Sequence, residues 1–139
     1  MSNPKTERVS EIDPVQGMIA DRLARVVIDC DPAILSLLVV DSFGRVLKVA
    51  RSSRLPAGEE ASAEQVKAFG TVAKMIVGAA NQASPLAGAT EVVIGIFKHE
   101  KILLMNIQEY NVVMGLRLSR SASAEYVGER IRGLLASTQ

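Results

Sequence analysis

Three apolar segments follow one another between residues 91 and 118 with only three or four residues between them. Each has the length and composition of a β-strand. A crossover between parallel strands needs a dozen or more residues, so joins this short require antiparallel neighbours. The segments are Glu91 to Phe97, Lys101 to Ile107 and Val112 to Leu118. They predict an antiparallel meander, which restricts the chain to folds built around an antiparallel sheet.

Two more strands and three helices are predicted elsewhere. The turn Asp41 to Gly44 joins the strand candidates, because aspartate can bond the turn backbone and glycine accepts positive φ. The sequence therefore predicts an α+β sandwich in the order α-β-β-α-β-β-β-α, with a five-stranded antiparallel sheet and flanking helices. The strands are Ile34 to Val40 and Arg45 to Ala50; the helices are Pro14 to about Cys30, Ser62 to about Gln82, and about Ser123 to Ala136.

Helix-capping signals set the predicted ends. Asp13 precedes a proline at the first helical position, and Gln16 stands where a capping-box partner would. Ser62 and Gln65 form a second capping-box pattern. The segment 84–88, with its proline and glycine, is expected to break the second helix. The longest irregular stretch, 51–61, is expected to be a mobile connection; the alternative is a segment that becomes ordered on binding.

Length and composition bound the class of protein. A chain of 139 residues with 48% hydrophobic residues suits one domain, predicted over 11–139 after a flexible tail, 1–10. A net charge of +1 and 4% aromatic residues argue against nucleic-acid binding. The first ten residues lack an apolar run, and the apolar stretches are too short to span a bilayer. We expect a cytoplasmic protein without membrane insertion.

The second helix has more apolar surface than one sheet can cover. A core face is expected from Val66, Phe69, Ala73, Ile76, Val77 and Ala80. Beside it runs a second stripe, called here the α2 stripe: Ala68, Val72, Met75 and Ala79. The whole apolar arc is about 200° wide, roughly twice what a surface helix needs. Either a second protein covers the α2 stripe or the helix is buried inside the monomer.

Two glycines in this helix need a reason. Glycine in a helix interior costs about 1 kcal/mol relative to alanine. Gly70 and Gly78 lie in the second helix, among several alanines. We interpret them as allowing the close approach of a second helix.

The third strand is apolar on both faces, through Val92, Val93, Ile94 and Ile96. It begins the meander, so it is expected at an edge of the sheet, where an exposed apolar strand invites pairing with another chain. A homodimer that continues the sheet through this strand and packs the two second helices together would cover both features.

The other expected edge is basic. Residues 45–54 carry Arg45, Lys48, Arg51 and Arg54 with no acid among them. Such charges protect an edge against pairing; the alternative is a docking patch for an acidic partner.

From Asp31 to about Ala136 the chain resembles the Roadblock/dynein light-chain family, also called Roadblock/LAMTOR, whose architecture is profilin-like. The resemblance rests on the strand-turn-strand 37–47, the small-residue second helix, the apolar strand 92–97 and the terminal helix. It implies a homodimer or a heterodimer with a family paralogue, joined through the second helix and the third strand. Members act as scaffold subunits or regulators of small Ras-like GTPases without an active site of their own, and some bacterial relatives accelerate GTP hydrolysis.

Residues suited to catalysis are scarce. The single histidine, His99, lies in a predicted turn, and the single cysteine, Cys30, lies on the apolar side of the first helix. Neither provides converging metal ligands or a water-excluded acid–base pair. We expect no catalytic, cofactor or metal site, and no enzyme activity. The alternative function is a small-molecule sensor with a pocket against the sheet, for which Asn106 is a candidate polar lining residue.

Overall fold

A five-stranded antiparallel sheet is the middle layer of residues 13–137, which the computed structural model describes. The predicted tail, 1–10, lies outside the described residues. Across the sheet the strand order is β2-β1-β5-β4-β3, so the hairpin and the meander join side by side. The strands are β1 (Ile34–Val40), β2 (Val46–Arg51), β3 (Val92–Ile96), β4 (Glu100–Ile107) and β5 (Val112–Ser119). The helices are α1 (Pro14–Val27), α2 (Ala63–Ala80), α3 (Ser84–Ala87) and α4 (Ala124–Ser137).

The predicted break after the second helix is wrong in part. A short 3-10 turn, Asn81–Ala83, and the one-turn α3 continue the helical path before Gly88, at φ 87°, ends it. A proline is tolerated there because the first turn of a helix has no partner for its N–H. The extra turn carries the chain from the end of α2 toward the start of β3.

Both predicted N-caps, Asp13 and Ser62, are present, but only α2 has the predicted capping box. At α2 the hydroxyl of Ser62 accepts from the Gln65 backbone N–H at 3.1 Å, and the Gln65 side chain accepts from the Ser62 N–H at 2.8 Å. At α1 Asp13 caps alone, accepting from Val15 N at 2.9 Å. The predicted capping-box role of Gln16 is wrong, since its amide donates to the Tyr110 carbonyl at 3.2 Å. Gln16 therefore ties α1 to the end of the meander.

The main core lies between the sheet and the pair α1 and α4. Helix α1 contributes Leu23 and Val27, and α4 contributes Val127 and Ile131, all nearly inaccessible to solvent. These side chains pack on Leu103, Met114 and Leu116 of the sheet, among others. Burying a residue of this size stabilises the fold by about 1.5–3 kcal/mol, so this face fixes the register of the central strands.

Helix α2 alone covers the other face of the sheet. Its buried residues are Gly70, Ala73 and Val77, and a smaller core forms around Ala73 and Val77. A Cβ on Gly70 would lie 2.9 Å from Val46 Cγ2 and 3.1 Å from the Gly44 carbonyl oxygen. The close approach that Gly70 allows is therefore to the β1–β2 hairpin of the same chain, which corrects our interpretation for this glycine. Around Gly78 nothing lies within 4 Å of such a Cβ.

The β1–β2 turn is held by a buried carboxylate. Asp41 is 1% exposed. Its side chain accepts from the backbone N–H groups of Phe43 and Arg45, both at 2.9 Å, and from Arg45 Nε at 2.8 Å. Gly44, at φ 81°, completes the turn, as the sequence predicted. The hairpin thus presents a fixed surface against which α2 packs.

Candidate interaction surface at the β3 edge

The two edges of the sheet are β2 and β3, as predicted. In β3 the hydrogen bonds to β4 alternate: Asn106 N donates to the Glu91 carbonyl at 2.9 Å, and Phe97 N donates to the Glu100 carbonyl at 3.0 Å. The odd-numbered residues of β3 therefore face β4. Val92, Ile94 and Ile96 consequently turn their backbone N–H and C=O groups toward the open edge.

The α2 stripe is exposed. Val72 is 46% exposed and Met75 66%, and Ala68 and Ala79 are exposed too. Within the part of the chain that the structure describes, the sheet therefore does not cover the α2 stripe. Ile76, expected in the core face, is 39% exposed and extends the apolar surface toward β3. The Gly70 side of α2 packs closely on the β1–β2 hairpin. Ile76 lies on the side of the helix that faces β3.

An open groove of about 740 Å³ lies between α2 and the β3–β4 hairpin. Val72 and Ile76 line its helical wall, and Val93, Gly95 and Phe97 line its sheet side. The Phe97 ring lies across Gly95, where an added Cβ would be 2.7 Å from Phe97 Cε2. The groove is thus an apolar surface that continues from the α2 stripe to the open strand.

One end of the groove is fixed by an ion pair. Arg117 donates to both carboxylate oxygens of Glu100, at 2.6 and 3.0 Å, and to the Glu59 carbonyl at 3.2 Å. The hydrogen bonds from Glu100 raise the pKa of Arg117 above its ordinary value. Arg117 thereby joins the β2–α2 connection to the meander. His99 also lines this end and is exposed, as predicted for a turn residue.

The β2 edge is charged, and its cations have partners within the chain. Arg45 pairs with Asp41 at 2.8 Å, Lys48 with Asp21 at 3.0 Å, and Arg51 with Glu60. The Arg54 guanidinium donates to the Ser52 hydroxyl at 3.3 Å. Lys48 and Arg25 hold the pKa of the Asp21 carboxyl below its ordinary value. The β1–β2 register also shifts near Val40, and such irregularities and charges disfavour edge pairing.

Residues considered for chemistry have structural contacts. Asn106 donates from its side-chain amide to the Thr90 carbonyl at 3.0 Å and fixes the entry to β3. Burial raises the pKa of the Cys30 thiol, and Asp31 adds to the effect.

Within residues 13–137 no group of three or more His, Cys, Asp or Glu side chains could hold a metal ion. In the same range no helix has the length and apolar content to cross a membrane.

Helix α2 covers one face of the sheet, and α1 and α4 cover the other. Together with the strand order, this arrangement defines a Roadblock-type α+β domain. This is the predicted fold class, and solved structures confirm it.

The chain is similar to the Roadblock/LC7 domain from Streptomyces avermitilis, with a TM-score of 0.65, 14% identity, and coverage of 85% of this chain and 92% of that one. It is similar to the gliding protein MglB from Thermus thermophilus, with a TM-score of 0.65, 14% identity, and coverage of 85% and 88%. A structure of MglB with a tetrameric arrangement gives 0.65, 15%, and 85% and 88%. No protein-family model and no curated protein matches the chain. These likenesses establish that the chain has the Roadblock/LC7 domain fold.

Proposed function

We propose that this chain is a non-enzymatic, homodimeric interaction module that binds and regulates a small Ras-like GTPase. The observation that carries the dimer is the coincidence of an open, uncharged edge strand with an exposed apolar helix face beside it. Each feature alone is common. Together they form one continuous apolar surface, which a monomer would leave in water.

The strand geometry restricts how two copies can pair. The outward-facing residues of β3 are Val92, Ile94 and Ile96, so an antiparallel partner must present the same residues to exchange hydrogen bonds. Centring the pair on Ile94 places Val92 opposite Ile96 of the second copy and uses the whole strand. The two-fold axis of such a pair is perpendicular to the sheet. It therefore places both α2 helices on the same face.

On that face each groove receives the other copy's α2 stripe. Val72 and Met75 would leave water, and Phe97 would be covered by a helix from the second copy. Large exposed side chains of this kind stabilise association by about 1.5–3 kcal/mol each when fully buried. The exposed small residues Ala68 and Ala79 allow the helices to approach closely.

Regulation of a GTPase is supported by the family resemblance and the shared fold. In this proposal the module acts by binding the GTPase and stabilising one conformation of it, so no catalytic group of this chain is needed. Rates of GTP hydrolysis by co-purified or genomically neighbouring Ras-like GTPases, with and without the chain, test this part. A change in rate upon saturation supports regulation. Absence of binding to every such GTPase would overturn it.

The dimer is tested by light scattering coupled to gel filtration. Met75→Asp and Val92→Lys should each yield monomer or aggregate, because each places an unpaired charge in the proposed interface between the two copies. Met18→Asp is a matched control, since Met18 is 74% exposed on α1, away from the β3 edge. It should leave the dimer intact. A wild-type chain that is monomeric at high micromolar concentration would contradict the dimer.

The register is tested by disulfide formation. In a Cys30→Ser background, Ile94→Cys should cross-link two copies on oxidation, because directly opposite residues in a hydrogen-bonded pair have Cα atoms about 5.5 Å apart. Val49→Cys, on the protected β2 edge, is the control and should remain unlinked. Cross-linking through Val49 but not Ile94 would mean that the other edge pairs.

A further inference from the structure

A second groove lies on the opposite face of β3, between the strand and α4. It has a volume of about 560 Å³, and Val92 and Ile94 form its floor. Ile96 has the same orientation by strand alternation and is 65% exposed. Tyr126, which is 59% exposed, lines the helical side. This face is apolar at its base, and α4 covers only part of it.

The rim of this groove is acidic. Glu91, Glu125 and Glu129 line it with a single cation, Arg132. The Arg132 guanidinium lies 3.5 Å from the Glu91 carboxylate and 3.8 Å from that of Glu129. Lys101 is a second cation on this face, opposite Ile96, and its ammonium donates to the Ala122 carbonyl at 2.5 Å. Carboxylates therefore outnumber the cations at the rim, in a chain whose net charge is +1.

The proposed dimer would double this surface. A two-fold axis perpendicular to the sheet brings the two β3 strands side by side and places one α4 on each flank. The two grooves then join into a trench with an apolar floor and an acidic rim on both sides. In that arrangement carboxylates of the two copies would also face each other, and their repulsion would oppose dimerisation.

We infer that this trench binds a basic segment of a partner protein, one that carries apolar side chains along one side. Charge complementarity selects the basic segment, because cations at the rim would be matched by glutamates, and the apolar floor selects against a purely polar polycation. The inference rests on the proposed dimer. It assigns a different face from the one that α2 occupies.

Binding and dimerisation should be coupled. A basic segment in the trench relieves the repulsion between the two acidic rims, so it binds the dimer more tightly than the monomer. By linkage it must then tighten the dimer by the same factor.

The probe is a fluorescent synthetic peptide of leucine and lysine at helical spacing; its comparison is the same peptide with glutamate in place of lysine. Fluorescence anisotropy measures affinity and stoichiometry, and analytical ultracentrifugation measures the dimer constant. Glu125→Lys is the test variant and Glu64→Lys the matched control, since both glutamates lie in the first turn of a helix. Tyr126→Ser tests the apolar side of the groove.

We expect one lysine peptide per two chains, a tighter dimer in its presence, and no binding of the glutamate peptide. Glu125→Lys should weaken binding roughly tenfold through loss of rim attraction, while Glu64→Lys leaves it unchanged. Tyr126→Ser should also weaken it. Three results would each overturn the trench alone. They are a dimer that does not bind the lysine peptide, an equal loss of peptide affinity in Glu64→Lys and Glu125→Lys, and binding of spermine as tight as that of the peptide. A chain that remains monomeric throughout would overturn the dimer and the trench together.

Discussion

Replacing Gly70 with alanine measures how closely α2 is held to the β1–β2 hairpin. In an unconstrained helix the change would stabilise the protein by about 1 kcal/mol. Here the new Cβ would lie 2.9 Å from Val46 Cγ2 and 3.1 Å from the Gly44 carbonyl oxygen. The Val46 methyl can turn aside, but the Gly44 carbonyl belongs to a turn fixed by Asp41, so the backbone must move.

Overpacking of this kind costs about 1–3 kcal/mol, and we take the upper end because one of the two crowded atoms is backbone. The expected net loss for Gly70→Ala is then about 2 kcal/mol. Gly78→Ala is the matched control in the same helix, with open space around its Cβ, and should gain up to about 1 kcal/mol.

Chemical denaturation of both variants at one protein concentration gives the two free energies of unfolding, and the difference should be about 3 kcal/mol. Adding Val46→Ala to Gly70→Ala should recover part of the loss, which a double-mutant cycle detects. Equal stabilities for Gly70→Ala and Gly78→Ala would refute the close contact between α2 and the hairpin at Gly70.

Three further predictions concern the buried Asp41, the cap of α2 and the Cys30 thiol. Asp41→Ala should lower the free energy of unfolding by about 3 kcal/mol, because it removes the buried carboxylate that accepts from the backbone N–H groups of Phe43 and Arg45; thermal melts compared with Asp21→Ala, a half-buried aspartate at the surface, check this, and equal losses would contradict it. Ser62→Ala should cost about 1 kcal/mol through loss of the α2 cap, while Ser53→Ala, at an exposed loop position, should cost less in the same denaturation assay. Since burial raises the pKa of the Cys30 thiol, alkylation of the folded chain by iodoacetamide should need higher pH than alkylation of the unfolded chain; identical pH profiles for the two states would contradict that direction.

The fold was largely predictable because its determinants are local. The short joins of the meander and the Asp41–Gly44 turn each dictate antiparallel neighbours without reference to the rest of the chain. The exposure of Val72 and Met75 was predictable for the same reason, since helical periodicity separates the α2 stripe from the core face.

What the sequence could not supply were contacts between distant segments. Gly70 meets Gly44 and Val46 across the fold, and nothing in the helix pattern distinguishes it from Gly78. Two partners of the basic edge, Asp21 on α1 and Glu60 in the β2–α2 connection, are distant in the sequence from the cations that they pair with. The acidic rim of the second groove also combines Glu91, which directly precedes β3, with Glu125 and Glu129 of α4, more than thirty positions later in the sequence.

The unequal edges of the sheet also limit how far copies of this chain can add to one another. A sheet with two open edges can extend indefinitely, because each addition exposes a fresh edge. Here β3 is open and β2 carries paired charges and an irregular register. Pairing through β3 leaves only protected strands outermost, so growth by strand addition ends at two copies, and a larger assembly has to use a surface other than the sheet.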